Sequence, residues 1–219
     1  IMAEPSSETI TQKPRIPMLK HAPQTTEETR RPLKWRVVDI AVGAAVGVMS
    51  GVMFWVFDGM SYGLFPLLTL ILPGSAALLH ALFYFPATLG LLIVRKSGAS
   101  AYVLLVASFV EVVLGTKYSV SLVVIALVQA LDDETVLALF RYRRWTLGVT
   151  LLAALAVGIV YNFYLLFFYY QAFSFFSPRG LIGTACELLS AAVFAGFGSW
   201  GLYRALAKSG VLARFSSGQ

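Results

Sequence analysis

Six titratable or amide side chains stand inside long apolar runs: His80, Glu111, Gln129, Asp133, Asn162 and Glu187. An ionised group near the bilayer centre costs about 2.5–3.5 kcal/mol on insertion scales, so each needs a partner or a task. Carboxylates beside aromatic rings suit a cationic, ring-bearing ligand, each cation–π contact adding about 0.5–2 kcal/mol. Trp55, Tyr84, Tyr102, Tyr118, Tyr161, Tyr164, Tyr169 and Tyr170 supply the rings. For Tyr169, Tyr170, Phe175 and Phe176 the competing reading is an aromatic belt at the membrane interface. For His80 it is a satisfied buried histidine. Catalysis is poorly supported. The chain has no Gly-rich loop ending in Lys-Ser/Thr, so it does not hydrolyse ATP. It has no H-E-x-x-H, no Cys/His metal spacing and no credible nucleophile triad. No catalytic residue, metal or cofactor is expected. Arg141, Arg143 and Arg144 read as a topology anchor at a helix end rather than a nucleic-acid patch.

These groups must be positioned by membrane helices. The chain has 219 residues, 58% hydrophobic and 13% charged, with mean hydropathy +0.76. Soluble domains carry about 25% charged residues. The composition excludes a soluble enzyme and a disordered chain, and the lone Cys186 excludes an internal disulfide. What remains is an all-α, polytopic membrane protein. Six runs can each cross about 30 Å of hydrocarbon as a helix of about 20 residues: Arg36–Phe57, Gly74–Lys96, Gly98–Gly115, Ser119–Arg141, Trp145–Tyr170 and Gly180–Ala207. Residues 1–34, with five of the nine prolines and ten charges, read as a disordered cytoplasmic tail, and 35–215 as the six-helix domain. Ile1 before Met2 reads as a fragment boundary, Met18 as an alternative start, and no secretory signal is expected.

With both termini inside and six crossings, fifteen of the seventeen basic residues fall on the cytoplasmic side, leaving Lys117 and Arg179 outside. That satisfies the positive-inside rule. A seventh crossing through the apolar stretch 58–73, broken by Pro66 and Pro73, would move Arg141, Arg143 and Arg144 outside. Residues 58–73 are therefore read as an outer segment, either a lid or a re-entrant stretch. In this frame Glu111, Gln129, Asn162, Glu187 and His80 come from five helices and share the outer half of the membrane, as an outward-facing pocket would require. Asp133, one turn from Gln129, extends the same face.

Small residues form faces that let helix backbones approach closely. Ala41 and Ala45 make one four-residue row on the first helix, and Gly43, Gly47 and Gly51 another. Ala191, Ala195, Ala192 and Gly196 make a second set on the sixth helix. The rows serve either packing within the bundle or docking to a separate membrane subunit.

Three stretches carry a family resemblance: KWRVVDIAVGAAVGVMSGVMFW (34–55), LVQALDDETVLALFRYRRW (127–145) and AAVFAGFGSWGLYRALAKSGVL (191–212). A weaker fourth is FPATLGLLIVRKSGAS (85–100). Together they resemble the YkoE family, substrate-binding S components of energy-coupling factor (ECF) ABC transporters linked to thiamin or its hydroxymethylpyrimidine precursor. The resemblance implies a six-helix S-component-like bundle with cytoplasmic termini in a bacterial cell membrane. It implies a vitamin ligand bound from outside, a transmembrane coupling (T) subunit docked on small residues of the first helix, and cytoplasmic ABC ATPases. It shifts the reading of Ala41, Gly43, Ala45, Gly47 and Gly51 toward that docking face. On this reading Glu111 and Glu187 pair with the cationic or amino-bearing ring, Gln129 and Asn162 hydrogen-bond it, and Trp55, Tyr84 and Tyr161 stack on it or close the site. The chain departs from the family pattern where QG-x-GAE is expected, having Gln129-Ala130-Leu131-Asp132-Asp133-Glu134. An S component for a different vitamin or small aromatic ligand, a scaffold subunit that binds none, and an autonomous carrier are the rival readings.

Overall fold

The computed structural model describes residues 34–116, 120–171, 174–210 and 212. The tail expected over 1–34 lies outside them apart from Lys34, as do Lys117 and Tyr118. The described residues belong to one compact helical unit, Leu33–Gln219. Helix α1 spans Val37–Ile71, α2 Phe85–Val94, α3 Ala99–Leu114, α4 Val120–Leu139 and α5 Leu147–Phe168. A 3₁₀ helix, Ser75–Phe83, leads into α2. The last span is built of α6 (Pro178–Ser190), a π-helical stretch (Ala191–Gly198) and α7 (Ser199–Lys208).

All six expected runs are helical, and the largest difference is in the first. It was expected to stop near Phe57, yet α1 runs on through Asp58 and Pro66 for 35 residues. At about 1.5 Å per residue it is about 52 Å long, well over a hydrocarbon thickness. Pro66 has no N–H to offer the Tyr62 carbonyl, but one missing bond does not end a helix with packing on both sides of it. The segment 58–71 is thus neither a loop nor a re-entrant stretch but the C-terminal end of α1. Asp39 caps the helix start, its Oδ2 accepting the Arg36 N–H at 2.9 Å.

Four helices are long and apolar enough to cross a membrane among the described residues: Val37–Ile71, Ser75–Val94, Leu147–Phe168 and Pro178–Lys208. Six had been expected. Helix α3 is apolar but only 16 residues long. Helix α4 has 20 residues, but Asp132, Asp133 and Glu134 fall within them. The protein is an all-α, multi-pass membrane bundle.

The second span is central, with 72% of its most apolar window buried against 28% in α1 and α5. Helix α3 packs on α1 and α2, α4 on α3 and α5, and the last span on the 3₁₀ helix, α2 and α5. The α1–α3 seam uses the glycine row: a Cβ at Gly43 would lie 2.8 Å from the Tyr102 ring, and one at Gly51 2.5 Å from the Ala107 carbonyl oxygen. Ala41 and Ala45 lie on a different face of α1 and are exposed. The second small-residue set also packs inward, Ala191 and Ala195 being fully buried against Ala154, Val157 and Tyr84. Near the basic helix ends, Arg95 lies over the Trp145 and Tyr203 rings and donates to the Tyr203 hydroxyl at 2.7 Å.

Candidate ligand-binding site

A cavity of about 240 Å³ opens among α1, the 3₁₀ helix, α3, α4 and α5. Each helix contributes a row at helical spacing. Phe54, Asp58, Ser61 and Phe65 come from α1, Leu104, Ser108 and Glu111 from α3, and Leu122, Ile125, Ala126 and Gln129 from α4. Helix α5 and its end add Tyr161, Leu165, Tyr169 and Tyr170, and the 3₁₀ helix adds His80 and Phe83. Side chains three residues apart eclipse in a 3₁₀ helix, which is why His80 and Phe83 share one row.

The polar groups are two carboxylates, an amide, an imidazole and the hydroxyls of Ser61, Ser108, Tyr161, Tyr169 and Tyr170 on a mostly apolar wall. Asp58 and Glu111 are buried, and the Thr116 hydroxyl donates to Asp58 Oδ2 at 3.3 Å. Glu111 Oε1 and Gln129 Nε2 are buried and have no hydrogen-bond partner among the described residues. Orphaned buried polar atoms are costly and mark a place where a partner belongs. A ligand that donates to Glu111 and accepts from Gln129 would supply it. The Phe54 and Phe83 rings lie 5.8 Å apart, and the Tyr161 ring meets His80 and Tyr84 edge-on at 5.7 and 5.8 Å.

Four of the nine residues expected in the site therefore line this cavity: Glu111, Gln129, His80 and Tyr161. Glu187 and Tyr84 are fully buried behind it, and Glu187 accepts from both His80 and Tyr84. Asn162 donates to Thr184 Oγ1 at 2.9 Å and borders a neighbouring cavity of about 50 Å³, walled from the first by His80, Leu165 and Tyr170. Asp133 is fully buried toward α2, where Thr88 Oγ1 donates to its Oδ2 at 3.0 Å. Trp55 is 43% exposed and lines an open groove on the far side of α1 with Met60 and Tyr62. Tyr169 and Tyr170 line the cavity, whereas Phe176 is exposed.

Sequence reasoning did not single out Phe54, Asp58, Ser61 or Phe65. The signal was present: they recur at intervals of four, three and four residues, one helix face carried across the supposed break. A carboxylate on that face belongs with the others.

The family model described as ABC-type cobalt transport system, permease component, matches residues 38–160, more than half of the chain. The chain belongs to this permease family. Over 189 residues it is 25% identical to a Bacillus subtilis (strain 168) protein named as an HMP/thiamine permease, YkoE, covering 84% of this chain and 91% of that one. Its fold matches the crystal structure of an S-component of ECF transporter with a TM-score of 0.76 and 25% identity, over 84% of this chain and 92% of that chain. The chain is a YkoE-like permease with the S-component fold, a transport component and not an enzyme.

Proposed function

We propose that this chain is the substrate-binding S component of an ECF-type ABC importer in a bacterial cell membrane, and that it captures thiamin or its hydroxymethylpyrimidine precursor from outside. The observation that carries the reading is the cavity itself. Two buried carboxylates, Asp58 and Glu111, and the unpaired Gln129 amide face Phe54, Phe83 and Tyr161. This is the chemistry of an aromatic cation bearing amino hydrogens. The name of the Bacillus relative, an HMP/thiamine permease, points to the same ligand class. The family description names cobalt, but among the described residues no three His, Cys, Asp or Glu side chains gather as a metal site would need. A different small aromatic amine is the second reading. It is favoured by the departure at Gln129–Glu134, beside the cavity.

Residues 35–215 form the binding domain on this reading, with both termini cytoplasmic and the 1–34 tail on that side. Six segments cross the membrane, α3 and α4 among them. A transmembrane T subunit docks on the exposed Ala41 and Ala45 face, and cytoplasmic ABC ATPases supply the energy through it. The glycine row is already occupied by α3 and plays no part in docking.

The test is to purify the chain in detergent, release any bound small molecule by denaturation, identify it by mass spectrometry and then titrate thiamin. Recovered thiamin or pyrimidine, or sub-micromolar binding lost in Glu111→Ala, supports the reading. Another vitamin keeps the class and changes the ligand. No ligand and no binding favours a scaffold subunit.

A further inference from the structure

Behind the cavity wall, His80 Nδ1 lies 2.5 Å from Glu187 Oε2, and the Tyr84 hydroxyl donates to Glu187 Oε1 at 2.9 Å. Glu187 and Tyr84 are fully buried and His80 is 6% exposed. The three residues come from the 3₁₀ helix, its junction with α2, and α6, with more than 100 positions between His80 and Glu187. The His80 ring is held between Phe65 at 5.8 Å and Tyr161 at 5.7 Å. A carboxylate only accepts hydrogen bonds, so with Glu187 as the acceptor the proton of this contact belongs on His80 Nδ1. The other ring nitrogen, Nε2, lies across the imidazole from that contact, and His80 lines the cavity.

We propose that Glu187 is a positioning residue that holds His80 in the tautomer whose Nε2 lone pair faces the ligand, making His80 a third acceptor in the cavity beside Asp58 and Glu111. A hydrogen bond at one imidazole nitrogen sets what the other can offer. The consequence is a cavity with three acceptors, Asp58, Glu111 and His80, beside the Gln129 amide donor. It selects ligands rich in N–H and O–H donors, such as an aminopyrimidine carrying a hydroxyl group, and discriminates against analogues in which those donors are replaced by acceptors. The inference rests on the proposed binding role of the cavity, which it deepens.

The experiment uses the full chain in detergent. The sequence has two histidines, His21 and His80, so His21→Asn leaves one imidazole for ¹⁵N NMR. The expected spectrum at neutral pH, without ligand, has Nδ1 protonated and Nε2 bare, and Glu187→Gln brings tautomer exchange. Thiamin and hydroxymethylpyrimidine are then titrated against wild type, His80→Gln, Glu187→Gln and the double variant. Each single variant is expected to weaken binding by at least about tenfold, and the double variant to be no weaker than His80→Gln, because Glu187 acts through His80. Additive losses, unchanged affinity in Glu187→Gln, or an Nε2-protonated ring in the wild type overturn the proposal. If the wild type binds neither compound, the binding role falls, and the ligand-free spectra decide the positioning role by themselves. A spectrum unchanged by Glu187→Gln overturns it.

Discussion

Gly47 of α1 lies so close to Val106 of α3 that a Cβ added at position 47 would sit 2.7 Å from the valine Cβ. The carbonyl oxygen of Val103, one turn back on α3, would be 2.9 Å away. Neither neighbour is a flexible side-chain end, so α1 and α3 must separate to admit any other residue. Gly47→Ala is expected to destabilise the bundle by about 1–3 kcal/mol, and Gly47→Val by more. Thermal unfolding in detergent reads this as a lower Tm, and an unchanged Tm would refute the close seam.

Ala45, only two positions away, should behave in the opposite manner. It is exposed, and nothing in the bundle depends on its size. Ala45→Trp is expected to leave Tm and thiamin affinity unchanged while abolishing co-purification with a coupling subunit, since a small-residue face works only while it stays small. A variant that still co-purifies places the docking face elsewhere.

Removing charge from the cavity trades affinity for stability. Glu111→Gln keeps the shape and removes a buried carboxylate whose Oε1 is unpaired. The ligand-free protein should gain stability, because a buried carboxylate with one oxygen left without a partner is costly. The affinity for a cationic ligand should fall by about tenfold to a hundredfold, the worth of a charged hydrogen bond. Asp58→Asn should lower the affinity in the same direction, without the gain in stability, because its carboxylate already accepts from the Thr116 hydroxyl. Titration and unfolding on one preparation check both signs together.

The turn after α4 carries a pH signature. Burial and the 2.5 Å bond from the Tyr142 hydroxyl to Glu134 Oε2 push the Tyr142 phenol up to about 12. A phenol with a raised folded-state value stabilises the fold fully below its unfolded value near 10 and loses that contribution as the pH climbs toward 12. Wild type should therefore lose Tm over this window more steeply than Tyr142→Phe. Parallel slopes for the two proteins would refute it.

How far the sequence was legible follows from which interactions are local. The apolar runs marked all six helices, because crossing a bilayer demands length and composition that a short window displays. Prolines and a charge count suggested a break after Phe57, and the helix ran on, because the Phe54–Phe65 face keeps packing through Pro66. Trp55 was selected where Phe54 faces the cavity, and one residue of phase is about 100°. Gly43 and Ala45 were grouped by four-residue spacing, yet two positions are about 200° apart, so the rows point to opposite sides. Glu187 was legible as a buried carboxylate that needs a reason, but not as the partner of His80. That pairing is made by the chain's folding back on itself, and no periodicity records it.

The tight winding of Ser75–Phe83 also sets a length. At about 2.0 Å per residue the nine residues rise about 18 Å, whereas as an α-helix they would rise about 13.5 Å. With the ten residues of α2, the present span reaches about 33 Å and the rewound one about 28.5 Å. Rewinding would also pull His80 and Phe83 out of their common row, since side chains three apart no longer eclipse. The shape of the cavity wall and the bilayer thickness that this span matches are thus one variable. A lipid environment a few ångströms thinner presses on the same nine residues that carry His80 and Phe83 into the cavity wall.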